Sequence, residues 1–143
     1  MEKNIKIYLA GPVDNCSSSE QMVWRRMVQS VYHQYKYMDP MAYEVDVMRG
    51  KKSMNEIIQL EKQDIYNCDV LLAYPWKPGS GTAMEIMYAY MLNTDVRRND
   101  KIKIVVVIEK NKYLSPWISH HATVVVDDFY KAFEWIENNS NNV

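Results

Sequence analysis

The sequence has only two cysteines, Cys16 and Cys68, and they are not in C-x-x-C spacing. That argues against a disulfide framework and against a thiolate zinc site. No apolar run approaches the roughly 20 residues of a membrane span. The opening MEKNIKIYLAGP lacks an h-region, so neither a membrane segment nor a leader is expected. Charge of one sign is lacking too: the formal net charge is −1. The basic pairs Lys51-Lys52 and Arg97-Arg98 fall between elements rather than on a stripe, which gives no support for nucleic-acid binding. There is no Walker A loop and no G-x-G-x-x-G, disfavouring a nucleoside triphosphatase or a dinucleotide dehydrogenase. Nor is there a G-x-S-x-G elbow for a Ser-His-Asp hydrolase. These absences leave an ordinary globular chain, expected to be cytoplasmic, of 143 residues and 48% hydrophobic content. Its length suits one domain over residues 1–143, burying about two thirds of its unfolded surface.

What is present is an alternation of apolar runs and amphipathic stretches. Ile5–Ala10 reads as a first strand ended by Gly11-Pro12, and Ser19 as the N-cap of a helix beginning near Glu20. Trp24, Met27, Val28, Val31 and Tyr35 share a face of that helix. Residues 37–40 predict a short second strand stopped by Pro40, residues 41–52 a loop over the sheet's edge, and Ser53-Met54-Asn55-Glu56 a capping box opening a second helix to about Asn67. Val70–Tyr74 is a continuous apolar run between breakers, the pattern of a strand buried on both faces. Beyond Pro75, Pro78, Gly79 and Gly81, a helical pattern places Ala83, Ile86, Met87 and Tyr90 on one face, with Glu85 in its first turn. A fourth strand over 102–108, a loop with one helical turn over 111–121, a fifth strand over 123–126 and a helix capped by Asp127 follow, and residues 138–143 are expected to fray. Strands alternating with helices predict an α/β fold, a parallel sheet of about five strands covered on both faces.

Two readings of Glu85 stand side by side. Thr82-x-x-Glu85 is capping-box spacing, so the acid could simply reach back to the Thr82 amide. Alternatively, a carboxylate near a helix N-terminus at the carboxyl end of a strand is held ionised by the helix dipole and placed to act as a nucleophile. Attack on an anomeric carbon needs a second carboxyl group for the leaving group's proton. Glu61 and Asp64 share one face of the second helix and are the candidates, though that helix's C-terminal half should lie toward the far edge of the sheet. Tyr8, near the end of the first strand, is either a core tyrosine or a phenol orienting the nucleophile. The Ser17-Ser18-Ser19 loop, entering a helix N-terminus, is a weak anion cradle to which Ser80 could add a hydroxyl. His120 and His121 read better as structural or interface residues, and no metal-ligand spacing is present.

Together these segments resemble the nucleoside 2-deoxyribosyltransferase superfamily, which includes deoxynucleoside 5′-monophosphate N-glycosidases and CMP hydrolases. The resemblance is carried by Ile7-Tyr8-Leu9-Ala10-Gly11-Pro12, Met38-Asp39-Pro40, Cys68-Asp69-Val70-Leu71-Leu72-Ala73, Gly81-Thr82-Ala83-Met84-Glu85-Ile86, and Ser115-Pro116-Trp117-Ile118 followed by His121-Ala122. It implies a flavodoxin-like three-layer fold and a retaining, cofactor-free mechanism. In that mechanism Glu85 attacks C1′, Tyr8 orients it, and Glu61 or Asp64 supplies the acid. It also implies substrate contacts from Gly11, Asp14, Ser17, Ser19, Gly79, Ser80, Gly81, Met84, Trp117 and His121, and a homo-oligomer whose Ser115–His121 segments complete each other's sites. Two positions depart from the family pattern. Glu61 stands where the helix acid is usually Asp, and Gly79 stands where transferases carry an Asp. A non-catalytic nucleotide-binding module on the same scaffold is the alternative, and a protein-interaction module the third reading.

Overall fold

The apolar runs form a five-stranded, wholly parallel sheet in the order β2-β1-β3-β4-β5. Its strands are β1 (Lys6–Ala10), β2 (Lys36–Met38), β3 (Val70–Ala73), β4 (Lys103–Val107) and β5 (Val124–Val126). The structure is a computed structural model that describes residues 4–140. The central strand β3 is buried along its whole length, as an apolar run flanked by breakers requires. Register follows directly: Tyr8 pairs with Leu71 on one side and Met38 on the other, and Ala10 pairs with Ala73.

Helices cover both faces. Ile7 and Leu9 point into one core with Trp24 and Val28 of α1 (Ser18–Val31) and with Ala132, Phe133 and Ile136 of α6 (Phe129–Asn139). Their neighbours Tyr8 and Ala10 point the other way, among Ile65 of α3 (Met54–Asn67) and Ile86 and Ala89 of α4 (Ser80–Asn93). The alternation is the two-residue period of a strand. Each fully buried aliphatic side chain contributes about 1.5–3 kcal/mol. Strand order reverses beside β1, where the chain leaves to β2 on one side and returns as β3 on the other. This doubly wound three-layer fold has the flavodoxin-like order, in which ligands bind at the carboxyl ends of the strands flanking that switch point.

Several boundaries differ from expectation, each for a local reason. The N-cap of α1 is Ser17 rather than Ser19: its hydroxyl accepts from the Glu20 amide at 3.1 Å while the Glu20 carboxylate accepts from the Ser17 amide at 2.8 Å. Residues 41–52 are not a bare loop. Asp39 accepts from the Met41 amide and Pro40 occupies the first turn of a 3-10 helix (Pro40–Tyr43), which runs into α2 (Glu44–Met48). Asp-Pro is a helix-start signal as well as a strand stop. Asp128, not Asp127, caps α6; Asp127 instead pairs with Lys131 at 2.7 Å and Lys110 at 3.5 Å. α5 (Pro116–His121) is the expected single turn or so, capped by Ser115. The expected fraying from residue 138 is overturned as far as Asn139, which is still helical, and residues 141–143 lie outside the described residues. No helix among the described residues is long and apolar enough to cross a membrane.

Candidate active site

Glu85 is the sixth residue of α4, one turn further in than expected, because the helix starts at Ser80 with Gly79 as its N-cap. Gly79 has no side chain to cap with, and the Thr82–Glu85 capping box does not form. The buried Thr82 hydroxyl has no hydrogen-bond partner among the described residues, and the Glu85 carboxylate accepts a short hydrogen bond from the Tyr8 hydroxyl instead. Tyr8 is fully buried, held in β1 between α3 and α4, so the pair sits at the switch point between β1 and β3.

The electrostatics of this pair are set by burial. Enclosure by protein pushes the Glu85 carboxyl up to about 8, against the lowering effect of the Tyr8 hydrogen bond, with Glu61 raising it further and Arg25 lowering it. Burial thus favours the protonated acid, against the ionised form that a place near a helix N-terminus favours. The Tyr8 phenol is pushed far above its ordinary value by burial and then by the adjacent Glu85 and Glu61 carboxylates. It is a permanent hydrogen-bond donor here and not a base.

Glu61 lies midway along α3, and its charge raises both Tyr8 and Glu85. Burial first and Asp64 second raise the Glu61 carboxyl above its ordinary range. Asp64 accepts a 2.6 Å hydrogen bond from the Tyr43 hydroxyl, tying the 3-10 helix after β2 to α3. Tyr8 and Glu85 share one hydrogen bond and Tyr43 and Asp64 another, while the Glu61 charge acts on Tyr8 and Glu85 and is itself raised by Asp64. Carboxyls so arranged can hold and move protons.

The remaining positions are more scattered. Gly11 is buried at the end of β1, and a Cβ there would meet Trp24 at 2.6 Å, so only glycine lets α1 pack this closely. Asp14 is exposed at the loop tip. Ser17 is engaged in the α1 cap, with the Glu20 carboxylate beside it, and Ser19 is exposed within the helix. Gly79, Ser80 and Gly81 form the first turn of α4; nothing lies within 4 Å of a Cβ at Gly81. The neighbouring Lys77 donates to the Asn15 carbonyl, joining the loops after β1 and β3. Met84, Trp117 and His121 line an apolar hollow of about 270 Å3 between α4 and α5; Glu85 and Tyr8 are not among its walls. The His121 Nδ1–H donates to the Trp117 carbonyl at 2.6 Å, and the ring packs edge-on to Tyr90. No group of three or more His, Cys, Asp or Glu placed to hold a metal ion occurs among the described residues.

Arg25 is the residue that sequence reasoning passed over. It is 1% exposed, yet an Arg25-Arg26 pair on a helix reads as a solvated face. The usable signal was spacing: Gln21, Arg25 and Val28 fall at i, i+4 and i+7, on the stripe that faces the sheet. Its guanidinium donates to the Gln21 carbonyl and, at 3.1 Å, to the Gly11 carbonyl. It also lies 4.7 Å from the Trp24 ring centre and 3.6 Å from Asp39, an ion-pair distance too long for a hydrogen bond.

No protein-family model matches this sequence, and no curated protein matches it. Solved structures do. A 2-deoxyribosyltransferase from Bacillus psychrosaccharolyticus aligns at TM-score 0.66 and 15% identity over 88% of each chain. A 2-deoxyribosyltransferase from Leishmania mexicana aligns at 0.64 and 18% identity, over 94% of this chain and 98% of that one. A CMP N-glycosidase from Clostridium botulinum aligns at 0.55 and 17% identity, over 96% and 99%. At such identities the likeness is one of fold. The fold is the one that these two 2-deoxyribosyltransferases and the CMP N-glycosidase have.

Proposed function

We propose that this chain cleaves or transfers the N-glycosidic bond of a nucleoside or nucleoside 5′-monophosphate, with Glu85 as the nucleophile at C1′. The observation that carries the reading is the Tyr8–Glu85 pair at the switch point, with Glu61 beside it. The named activities of the structural neighbours, deoxyribosyl transfer and CMP N-glycoside cleavage, point the same way.

In this reading Tyr8 fixes one oxygen of Glu85 and leaves the other free to bond the anomeric carbon. Glu61, with its carboxyl raised, delivers a proton to the departing base; Asp64, anchored by Tyr43, keeps it raised. The bond from C1′ to the base nitrogen breaks as the bond to the Glu85 oxygen forms, and the base leaves protonated. Glu61, now ionised, then takes a proton from water or from a second base as that acceptor displaces Glu85. A 5′-phosphate, if carried, belongs at the first turn of α4. There the amides have no side-chain cap, whereas at α1 the Glu20 carboxylate already fills the place of an anion. The same reading puts a second copy of the chain over the exposed Met84 and Trp117, 70% and 73% accessible, which line the hollow between α4 and α5.

The test is chromatographic detection of free base from purified protein given common nucleosides and their 5′-monophosphates, with and without added adenine. Release without acceptor identifies a hydrolase, and a new nucleoside formed only with adenine identifies a transferase. Undiminished release by Glu85→Ala refutes the reading.

A further inference from the structure

We propose that Lys77 is a positioning residue for Glu85, on the reading of Glu85 as the reacting group. The Lys77 ammonium, bonded to the Asn15 carbonyl, straps the loop that leads into α4 onto the loop that leaves β1. It thereby holds the open end of α4, where Glu85 meets Tyr8.

The two loops are built unequally. The loop after β1 is anchored along its length by α1. Its Gly11 carbonyl accepts from Arg25 at 3.1 Å, and its Val13 and Cys16 carbonyls accept from the Gln21 side chain at 2.9 and 3.2 Å. The Cys16 amide closes a turn on the Val13 carbonyl at 3.3 Å, with Asn15 in the left-handed region at φ 59°, which asparagine tolerates. The loop after β3 has nothing comparable. Pro75 and Pro78 have no amide to donate. Among the described residues, the one from the Lys77 ammonium is the only hydrogen bond that leaves residues 75–78. The loops also touch where Gly79 passes Pro12: a Cβ on the glycine would stand 3.6 Å from the Pro12 Cβ.

The end of α4 that this loop feeds has little hold of its own. Gly79 offers no capping side chain, and the first helical hydrogen bond, from the Ala83 amide to the Gly79 carbonyl, is long at 3.4 Å. A second glycine, Gly81, has nothing within 4 Å of its Cβ position, and the buried Thr82 hydroxyl has no partner among the described residues. Buried side chains seat the helix further on, at Ile86 and Ala89. Glu85 stands between the open end and the seated middle. The Tyr8–Glu85 and Lys77–Asn15 bonds therefore link the same two units, β1 with its loop and α4 with its loop. A misplacement of about 1 Å is enough to slow a reacting group severely, so the outer bond bears on the inner one.

The test compares Lys77→Met with Lys77→Arg, which keeps the charge and a donor. Lys77 stands in a partly exposed loop, so both variants are expected to fold. The first readout is hydrogen exchange followed by NMR, which needs no turnover. In Lys77→Met the amides between Trp76 and Ala83 exchange about tenfold faster. So does the Tyr8 hydroxyl proton, identified by its absence in Tyr8→Phe, while Val70–Ala73 of β3 keep their wild-type rates. The second readout is base release at pH 7. There kcat falls about tenfold, KM stays within about twofold for nucleosides and 5′-monophosphates alike, and Lys77→Arg restores most of both losses. Wild-type exchange at the start of α4 in Lys77→Met overturns the proposal, as does faster exchange spread evenly over the chain. An undiminished kcat overturns it too, and so does a loss confined to KM for monophosphates, which would make Lys77 a phosphate contact. If the wild type releases no base from any substrate, the glycosidic reading fails, and the exchange rates alone decide whether Lys77 holds Glu85 against Tyr8.

Discussion

The first turns of α1 and α4 both open at the carboxyl edge of the sheet, and they are finished in opposite ways. At α1 a full capping box closes the helix, with the Ser17 hydroxyl on the Glu20 amide and the Glu20 carboxylate on the Ser17 amide. At α4 the cap is Gly79, no side chain satisfies the free amides, and the only carboxylate within two turns is directed to Tyr8. The serine-rich terminus, which looks like an anion site in sequence, is the one that is internally complete. The Thr82–Glu85 terminus, which looks like a capping box, is the one left open. The lesson is energetic. A cap is worth about 1 kcal/mol, which the packing of a whole helix against the sheet outweighs. Glu85 is placed by the packing of α4 against β1, not by the end of its own helix.

The strongest way to break that contrast is Glu85→Gln. If Glu85 is the nucleophile, base release falls by a factor on the order of 10³ or more, whereas Glu20→Gln at the capped terminus leaves it within about twofold. The same variant has a stability signature that does not depend on activity. The folded-state value of Glu85 is raised from 4.5 to about 8, so the folded protein binds more protons than the unfolded chain between those limits. That contribution is fully present below about pH 4.5 and is lost as pH climbs through 8. Glu85→Gln is therefore expected to melt higher than the wild type at pH 8–9, with the gap closing by pH 5. A gap that widens on acidification would show the carboxylate to be stabilised, not penalised, by its surroundings.

Tyr8→Phe gives the next largest effect. It removes the one hydrogen bond that favours the ionised form of Glu85 without opening a cavity, so the pH profile of base release should move to higher pH. Turnover at pH 7 should drop about ten- to a hundredfold. An unchanged profile would mean that Tyr8 is core packing and that α4 alone fixes the acid.

How far these features could be read in advance depends on how local their causes are. The strands were legible because continuous apolar runs such as Val70–Ala73 have few other fates, and α3 because Ser53 and Glu56 stand at cap spacing. Caps were misplaced by one or two residues at Ser17 and Asp128, where neighbouring serines or aspartates compete and only the backbone path decides. Residues 41–52 look like a loop because the helices over 40–48 are short and lack a periodic apolar face, so only the Asp39–Pro40 start signal marks them. Arg25 and the Tyr43–Asp64 bond were missed for a different reason. Both are tertiary contacts between elements far apart in sequence, and a charged or phenolic side chain on a helix face carries no mark of what will cover it.

The smallest effects test the two termini directly, and they are predicted to have opposite signs. Ser17→Ala removes a hydroxyl that accepts from the Glu20 amide, so thermal or denaturant unfolding should show a loss of about 1 kcal/mol, with base release from a 5′-monophosphate unaltered. Thr82→Val acts at the terminus without a cap. The Thr82 hydroxyl is buried and unpartnered among the described residues, so exchanging it for a methyl group removes an unsatisfied polar atom at almost constant volume. Stability should stay level or rise, by up to about 1 kcal/mol. Were Thr82→Val instead to cost as much as Ser17→Ala, its hydroxyl would be working as a cap after all. Glu85 would then be held by its own helix end, and the distinction between the two termini would disappear.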